Sequence, residues 1–349
     1  MTLTESIKAK GLELGFSHVG VTTMDNFPEY EAELLRREDY ALWTDPDRSK
    51  YPGRSYLIQS AHPVSFYPEG KSIICATFGY SQYLYPEELT PYVGRAYLCR
   101  AYVPQAHSAA GIRVAEFRQF IQSLGIGLYD GPGEVPERAA CARAGIITYG
   151  KNNFAYTPED GSFNILYTFL ADAELDYDTP TVRCDCPPDC RACMDACPGG
   201  AIIAPGRLHP QHCVLYNNQL PPEKIPREIR PLLGTHVHGC DECQTACPRN
   251  QAVLRKAART DPFLEVLKEK FDLEKLLLLD DSYYQEVVRP IMYNYITDLD
   301  ILRSNAAIAM GNSGNTAYLP ALKRALASGS PSLQEAAQWA IDRLSSASE

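Results

Sequence analysis

The sequence predicts an α+β protein in three successive parts: a mixed α/β region over residues 1–180, a cysteine-dense region over 181–255, and a helical region over 256–349. Three observations carry this division. Short β-branched runs alternate with helical stretches before residue 180, cysteine density jumps between Cys184 and Cys247, and the composition turns helix-forming from about residue 256. A chain of 349 residues is too long for one small core, so two or three domains are the physical expectation.

The elements follow in order. "ESIKAKGLELGFSHVGVT" predicts a helix, a turn at Gly15 and a strand entered at His18. "GKSIICATFGY" reads as a buried strand between Gly70 and Gly79. "AGIRVAEFRQFIQSLGI" sets Ile112, Ala115, Phe120 and Leu124 at helical spacing and ends at Gly125, and "SFNILYTFLADAEL" is a further strand. Asp176–Pro180 reads as a linker. Beyond it, segments 301–311, 318–327 and 332–345 carry apolar stripes separated by "GNSGNT" and "SGSPS", the pattern of HEAT-like helical hairpins.

Apolar residues make up 45% of the chain and charged residues 22%, the composition of a soluble globular protein. "MTLTESIKAKGLELGF" lacks the uninterrupted apolar stretch of a signal peptide, and no apolar run approaches the roughly 18 residues of a membrane span. The expectation is a cytoplasmic protein with no membrane association. A net charge of −10 gives no general support for a polyanion partner, so any nucleic-acid contact needs a local basic face. One candidate is residues 221–259, where Lys224, Arg227, Arg230, Arg249, Arg255, Lys256 and Arg259 outnumber Glu223, Glu228, Asp241 and Glu242. Arg303 and Arg324 are further candidate phosphate contacts.

The twelve cysteines are the strongest signal. In a reducing compartment, clustered thiols bind metal or do redox chemistry rather than form structural disulfides. Two units share one spacing: Cys190-x2-Cys193-x3-Cys197-Pro198, with Cys184 and Cys186 upstream, and Cys240-x2-Cys243-x3-Cys247-Pro248, with Cys213 upstream. In the bacterial ferredoxin run, three cysteines surround one [4Fe–4S] cluster and the Cys-Pro cysteine serves the other. That rule assigns Cys186, Cys190, Cys193 and Cys247 to one cluster, and Cys213, Cys240, Cys243 and Cys197 to the second. Cys184 is the alternative to Cys186. A zinc ribbon is the competing reading, but it leaves both Cys-x3-Cys-Pro tails unexplained. Cys75, Cys99 and Cys141 lie in apolar surroundings and read as inert core thiols. His236 and His238 read as hydrogen-bonding or solvated residues rather than ligands. Two neighbouring clusters make a single-electron relay, whose terminus is either a partner protein or a cofactor held by the first 180 residues.

With these motifs in place, the whole chain resembles the epoxyqueuosine reductases, corrinoid-dependent enzymes that complete queuosine in tRNA. The resemblance runs through "LGFSHVGVT", "PEGKSII", "ERAACARAGIITYGKNN", "GSFNILYTFLADAEL", both cysteine units, "REIRPLLGTHVHGCDECQTACPRN" and "RSNAAIAMGNSGN". It implies a nitroreductase-like cobalamin-binding domain, a two-cluster ferredoxin-like domain and a HEAT-like tail. It also implies two [4Fe–4S] clusters and cobalamin as cofactors, the anticodon stem-loop of a tRNA as substrate partner, an external flavodoxin- or ferredoxin-type electron donor, and a monomer. In the family chemistry, electrons from the clusters reduce the corrinoid, the cobalt engages the epoxide carbons, and an aspartic acid protonates the departing oxygen.

The aspartate position corresponds to Asp130 in "YDGPGEVPER", where Pro132 is one residue more than the family pattern has; Glu134 is the alternative, and turn chemistry alone would also accommodate Asp130. Arg138, Lys151 and His107 correspond to positions around the corrinoid pocket. The stretch "AGIITYGKNN" departs from the family pattern at Ile147, Thr148 and Tyr149. That departure keeps open a related corrinoid reductase of a small molecule, such as a dehalogenase. A non-enzymatic two-cluster electron carrier is a third reading.

Overall fold

The computed structural model describes residues 2–37, 56–131, 134–292 and 298–346. Pro132 lies outside the described residues. The strands are β1 (His18–Thr23), β2 (Ser72–Gly79), β3 (Tyr83–Leu84), β4 (Thr148–Tyr149), β5 (Ala155–Tyr156), β6 (Asn164–Ala171), β7 (Ile202–Ala204), β8 (Arg207–Leu208) and β9 (Arg259–Thr260). The helices that matter below are α1 (Leu3–Glu13), α2 (Pro28–Arg36), α3 (Ala109–Ser123), α4 (Glu137–Arg143), α5 (Ala192–Asp195), α6 (Glu242–Thr245), α7 (Pro248–Leu254), α8 (Leu299–Asn312), α9 (Leu319–Ala325) and α10 (Pro331–Ser346).

Helix α1 starts in a capping box: the Thr2 hydroxyl accepts from the Glu5 N–H, and the Glu5 carboxylate accepts from the Thr2 N–H. It stops where Gly15 takes φ +93°, a left-handed turn open to glycine, and the chain enters β1. The main sheet is antiparallel in the order β1-β2-β6. All eight residues of β2 are buried, which explains its unbroken apolar and small-residue run. One face of the sheet carries a core of Phe16, Phe117, Phe163 and Phe169; the other packs Met24, Ile73, Cys75, Cys141 and Leu170.

Two details differ from the sequence expectation. Helix α3 buries Ala110, Gly111, Phe117 and Ile121, while Ile112 is 48% exposed and Phe120 and Leu124 are only partly covered. The reason is Phe117, which seats against Phe16 and Phe169 at 5.3 Å between ring centroids and fills the space beside Gly11 of α1. The segment Asp176–Pro180 is no loose linker. Asp178 donates its N–H to the Val21 carbonyl at 2.9 Å, accepts the Val21 N–H at 2.8 Å and pairs with Lys8 at 2.6 Å. It thereby satisfies the outer edge of β1, whose backbone groups need partners.

A third core joins the predicted regions. Leu89, Val93, Tyr97 and Leu98 pack with apolar residues drawn from Val214 to Leu344. Within it, α8 crosses α10 closely at Gly311, where a Cβ would lie 2.8 Å from the Cα of Ala340. Helices α8, α9 and α10 fall on the three apolar segments read from the sequence. Among the described residues no helix is long and apolar enough to cross a membrane.

Candidate metal centre

The two cysteine units fold alike. Each Cys-x2-Cys-x3-Cys wraps a single helical turn, α5 in one and α6 in the other, and the two turns pack together. Pro248 then opens α7 at its first turn, where its missing N–H costs nothing. The thiols separate into two groups. Burial raises the pKa of Cys193, and the neighbouring thiols of Cys247, Cys186 and Cys190 add to the effect. Cys243 is pushed well above the ordinary thiol value, first by burial and then by Cys240, Cys213 and Cys197, with Cys193 a weaker neighbour. Burial pushes Cys240 up to about 12, and the Cys213 thiol contributes. Each group therefore contains the Cys-Pro cysteine of the opposite unit.

Such thiols ionise only in exchange for bound metal charge, so metal binding here is coupled to proton release. Among the described residues, no three His, Cys, Asp or Glu side chains converge on a point that could hold one metal ion. A lone zinc ion draws its sulfur ligands to about 2.3 Å, whereas a four-iron cluster spreads its four thiolates over a larger body. Two sets of four neighbouring thiols match what two four-iron clusters require. Cys184 is exposed, and its thiol and the Cys186 thiol share a hydrogen bond.

Both Cys-Pro sulfurs accept a hydrogen bond, from different sources. Cys197 Sγ accepts the backbone N–H of Ala201 at 3.2 Å. Cys247 Sγ accepts the hydroxyl of Tyr156 at 3.2 Å, from a hairpin in the N-terminal region. Asn152 Nδ2 donates to that hydroxyl at 3.1 Å and to the Cys243 carbonyl at 3.3 Å. Burial, then the Cys247 contact, pushes the Tyr156 phenol far above its ordinary value. A buried amide network continues the seam. Ser162 Oγ donates to Gln244 Oε1 at 2.9 Å, and Asn250 Nδ2 donates to the Gln244 carbonyl at 2.8 Å. Asn250 Oδ1 accepts the Ser162 N–H at 2.9 Å. None of Asn152, Tyr156, Ser162, Gln244 and Asn250 was singled out in the sequence reading. The available signal was the position of Asn152 inside "GKNN", of Gln244 inside the second cysteine unit and of Asn250 inside "CPRN"; Tyr156 and Ser162 carried none.

The residues expected around a corrinoid have the following partners. Lys151, nearly buried, gives its ammonium to the carbonyls of Pro187 at 2.8 Å, Pro188 at 2.5 Å and Cys190 at 2.9 Å, so it faces the cysteine loop. Arg138 is exposed at the start of α4, donates to the Asn153 carbonyl and lies near Tyr149, whose phenol is raised by burial against the opposing effect of that cation. His107 is exposed just before α3. Asp130, 72% exposed, forms an ion pair with Arg118 of α3. Glu134 is exposed. Arg249 lies beside β4: Nη2 donates to Thr148 Oγ1 at 3.3 Å, the guanidinium lies 4.1 Å from the Tyr156 ring centroid, and Nη1 is buried with no acceptor.

His236 Nε2 lies 3.5 Å from Glu242, and buried His238 packs against Tyr97 with ring centroids 4.0 Å apart and the planes tilted by 53°. The basic run divides in two. Arg227 and Arg230 both pair with Glu335 of α10, at 2.9 and 2.7 Å, and Arg230 is buried. Arg303 is held by Asp300 and the Leu279 carbonyl, and Arg324 by Glu274. Arg255, Lys256 and Arg259 remain exposed at the end of α7 and on β9.

Comparison with known proteins bears directly on this arrangement. Residues 186–250 match a 4Fe-4S double cluster binding domain. The chain is 30% identical to the epoxyqueuosine reductase of Escherichia coli over 352 residues, covering 97% of this chain and 89% of that one. It is 29% identical to the enzyme of Salmonella typhimurium, with 97% and 88% covered, and 27% identical to that of Bacillus subtilis, with 98% and 88% covered. An epoxyqueuosine reductase solved with an epoxyqueuosine-modified tRNA-Tyr stem loop superimposes with a TM-score of 0.81 at 24% identity, covering 98% of this chain and 90% of that one. A Bacillus subtilis epoxyqueuosine reductase, solved with its catalytic aspartate loop swung out of the active site, gives 0.71 at 24% identity, covering 98% and 99%. With identity of this extent running end to end across both cysteine units, the chain belongs to the epoxyqueuosine reductase family.

Proposed function

We propose that this chain is an iron–sulfur, cobalamin-dependent reductase that converts epoxyqueuosine to queuosine in tRNA. The observation that carries the reading is the crosswise grouping of eight thiols within a chain that matches epoxyqueuosine reductases from end to end. One [4Fe–4S] cluster is held by Cys186, Cys190, Cys193 and Cys247, the other by Cys213, Cys240, Cys243 and Cys197. Lys151 fixes the loop that carries Cys190, and the Asn152–Ser162–Gln244–Asn250 seam locks the cluster turns to the N-terminal sheet. The exposed position of Cys184 favours Cys186 as the ligand.

The corrinoid fits the rim formed by β4, Arg138 and Arg249. A macrocycle rich in amide carbonyls offers acceptors to the buried, unpartnered Nη1 of Arg249 and to the Arg138 guanidinium. When bound, a reduced corrinoid supplies a strongly nucleophilic metal centre for the epoxide carbons. The protein contributes water exclusion and one proton donor. Asp130 is that donor in this reading. It points to solvent in its pair with Arg118, as a swung-out loop would, and must leave that pair to reach substrate. His107, exposed just before α3, stands as a further candidate. Arg255, Lys256 and Arg259, all exposed, are the cations that would meet phosphates of a tRNA stem-loop in this reading; a relative solved with such a stem loop supports tRNA as the partner. The reading includes a nitroreductase-like first domain, a HEAT-like tail, a monomeric cytoplasmic enzyme, and a flavodoxin- or ferredoxin-type electron donor.

The test is anaerobic reconstitution of the full chain, iron analysis, titration with cob(II)alamin followed by EPR, and mass spectrometry of an epoxyqueuosine-bearing stem-loop. Conversion to queuosine is the expected result. Corrinoid uptake without conversion would point to a small-molecule reductase. Iron without corrinoid uptake would point to an electron carrier.

A further inference from the structure

We propose that Tyr156 sets the reduction potential of the cluster that Cys247 ligates, making the two-cluster relay uneven. The inference rests on the thiols holding clusters, and it concerns which of the two accepts an electron more readily.

Tyr156 is 2% exposed on β5, and its hydroxyl donates to Cys247 Sγ at 3.2 Å. A ligand sulfur carries negative charge that grows when its cluster takes up an electron. A donor aimed at that sulfur stabilises the reduced form more than the oxidised one and so raises the potential. Two neighbours strengthen this donor. Asn152 Nδ2 donates to the same hydroxyl oxygen at 3.1 Å and fixes its direction, so that the phenolic proton is left to the sulfur. The Arg249 guanidinium, 4.1 Å from the ring centroid, draws electron density from the phenol and adds positive charge beside the cluster.

The equivalent sulfur of the other group, Cys197, takes its hydrogen bond from the backbone N–H of Ala201, four residues along its own loop. Among the described residues no side chain donates to Cys197 Sγ. The side-chain donor is therefore an addition on one side only, supplied from the N-terminal region across 91 residues of sequence. Arg249, two residues after Cys247, donates to Thr148 of β4, so this ligand is tied to the Thr148–Arg249 rim. A higher potential there draws an electron from the Cys197 cluster towards the rim. One electron moves in this step, the iron of the acceptor cluster is reduced, and the proton stays on Tyr156.

The experiment compares the full chain with Tyr156→Phe, both reconstituted anaerobically, by iron analysis and by EPR-monitored redox titration. Expected are about eight irons in each and one midpoint potential moved to a more negative value. At fixed potential the reduced-to-oxidised ratio of that cluster falls about tenfold, which is 59 mV for a one-electron couple. The other cluster does not move. Unmoved potentials, equal movement of both, or a positive shift would overturn the inference. Should the variant assemble less iron, pulsed ENDOR of the reduced unaltered protein after exchange into D2O decides. A coupled exchangeable deuteron with the tyrosine-oxygen geometry supports the bond, and its absence overturns it. Iron far below eight in the unaltered chain instead removes the cluster reading itself.

Discussion

The ammonium of Lys151 donates to the carbonyl oxygen of Cys190 at 2.9 Å, and its two other hydrogen bonds go to Pro187 and Pro188. One buried cation thus organises the loop that delivers the first thiols. Replacing it by methionine keeps the apolar stem and leaves three carbonyls without their donor, each costing about 1–3 kcal/mol if it stays buried. Lys151→Met is expected to hold about four irons per chain instead of about eight, measured after anaerobic reconstitution. Lys151→Arg is expected to restore little, because a planar fork cannot address three carbonyls converging on one nitrogen. Full iron retention in Lys151→Met would show that the loop is held without the clamp.

The crosswise thiol grouping makes a sharper claim. Cys247 follows Cys243 in sequence but neighbours Cys193, and Cys197 neighbours Cys243. Cys247→Ala and Cys190→Ala are expected to abolish the same EPR signal, and Cys197→Ala and Cys240→Ala the other. If Cys247→Ala instead matched Cys240→Ala, each cluster would belong to one sequence unit and the assignment would fail.

That grouping was legible in the sequence because thiolate ligands must recur at fixed spacing on a short turn, a constraint that survives without knowledge of the fold. The sheet was legible for a similar local reason: β2, buried along its whole length, advertises itself as an unbroken run. What escaped the sequence depends on distant approach. Tyr156 matters through Cys247, 91 residues away, and Asn152 through the Cys243 carbonyl, also 91 residues away. The face of α3 was misplaced because Phe117 and Phe120 are equally apolar, and only Phe16, Phe169 and Gly11 decide which of them turns inward. Arg227 and Arg230 read as a basic face for the same reason. Glu335, more than a hundred residues on, pairs with both.

Asp130 and Arg118 separate a chemical role from a structural one. The carboxylate is 72% exposed, and an ion pair so open to water contributes little to stability. If Asp130 is the proton donor, Asp130→Asn lowers turnover by about 10²–10⁴ with iron content and corrinoid binding unchanged. Arg118→Gln then leaves turnover within about fivefold, since it removes only the solvent-side partner. Wild-type turnover in Asp130→Asn would transfer the role to another acid, and Glu134→Gln, also exposed, is the next variant to measure.

The cations near α7 bear on RNA. Arg255, Lys256 and Arg259 are exposed, whereas Arg227, Arg230, Arg303 and Arg324 are held by carboxylates. A cation already paired has to break that pair before it can neutralise a phosphate; a solvated one only releases the phosphate's counterions. Changing Arg255, Lys256 or Arg259 singly to glutamine is therefore expected to weaken stem-loop binding and to reduce the salt slope, the fall of log affinity with log salt, by roughly one unit per lost contact. Thermal stability should be unchanged. Arg230→Gln should behave in the opposite way. It leaves the slope alone and lowers the melting temperature, because it strips a buried cation from Glu335 at the junction with α10. Fluorescence anisotropy against salt, with a melting curve for each variant, reads both quantities. A salt slope that drops only in Arg230→Gln would move the RNA contact from the end of α7 to Arg230.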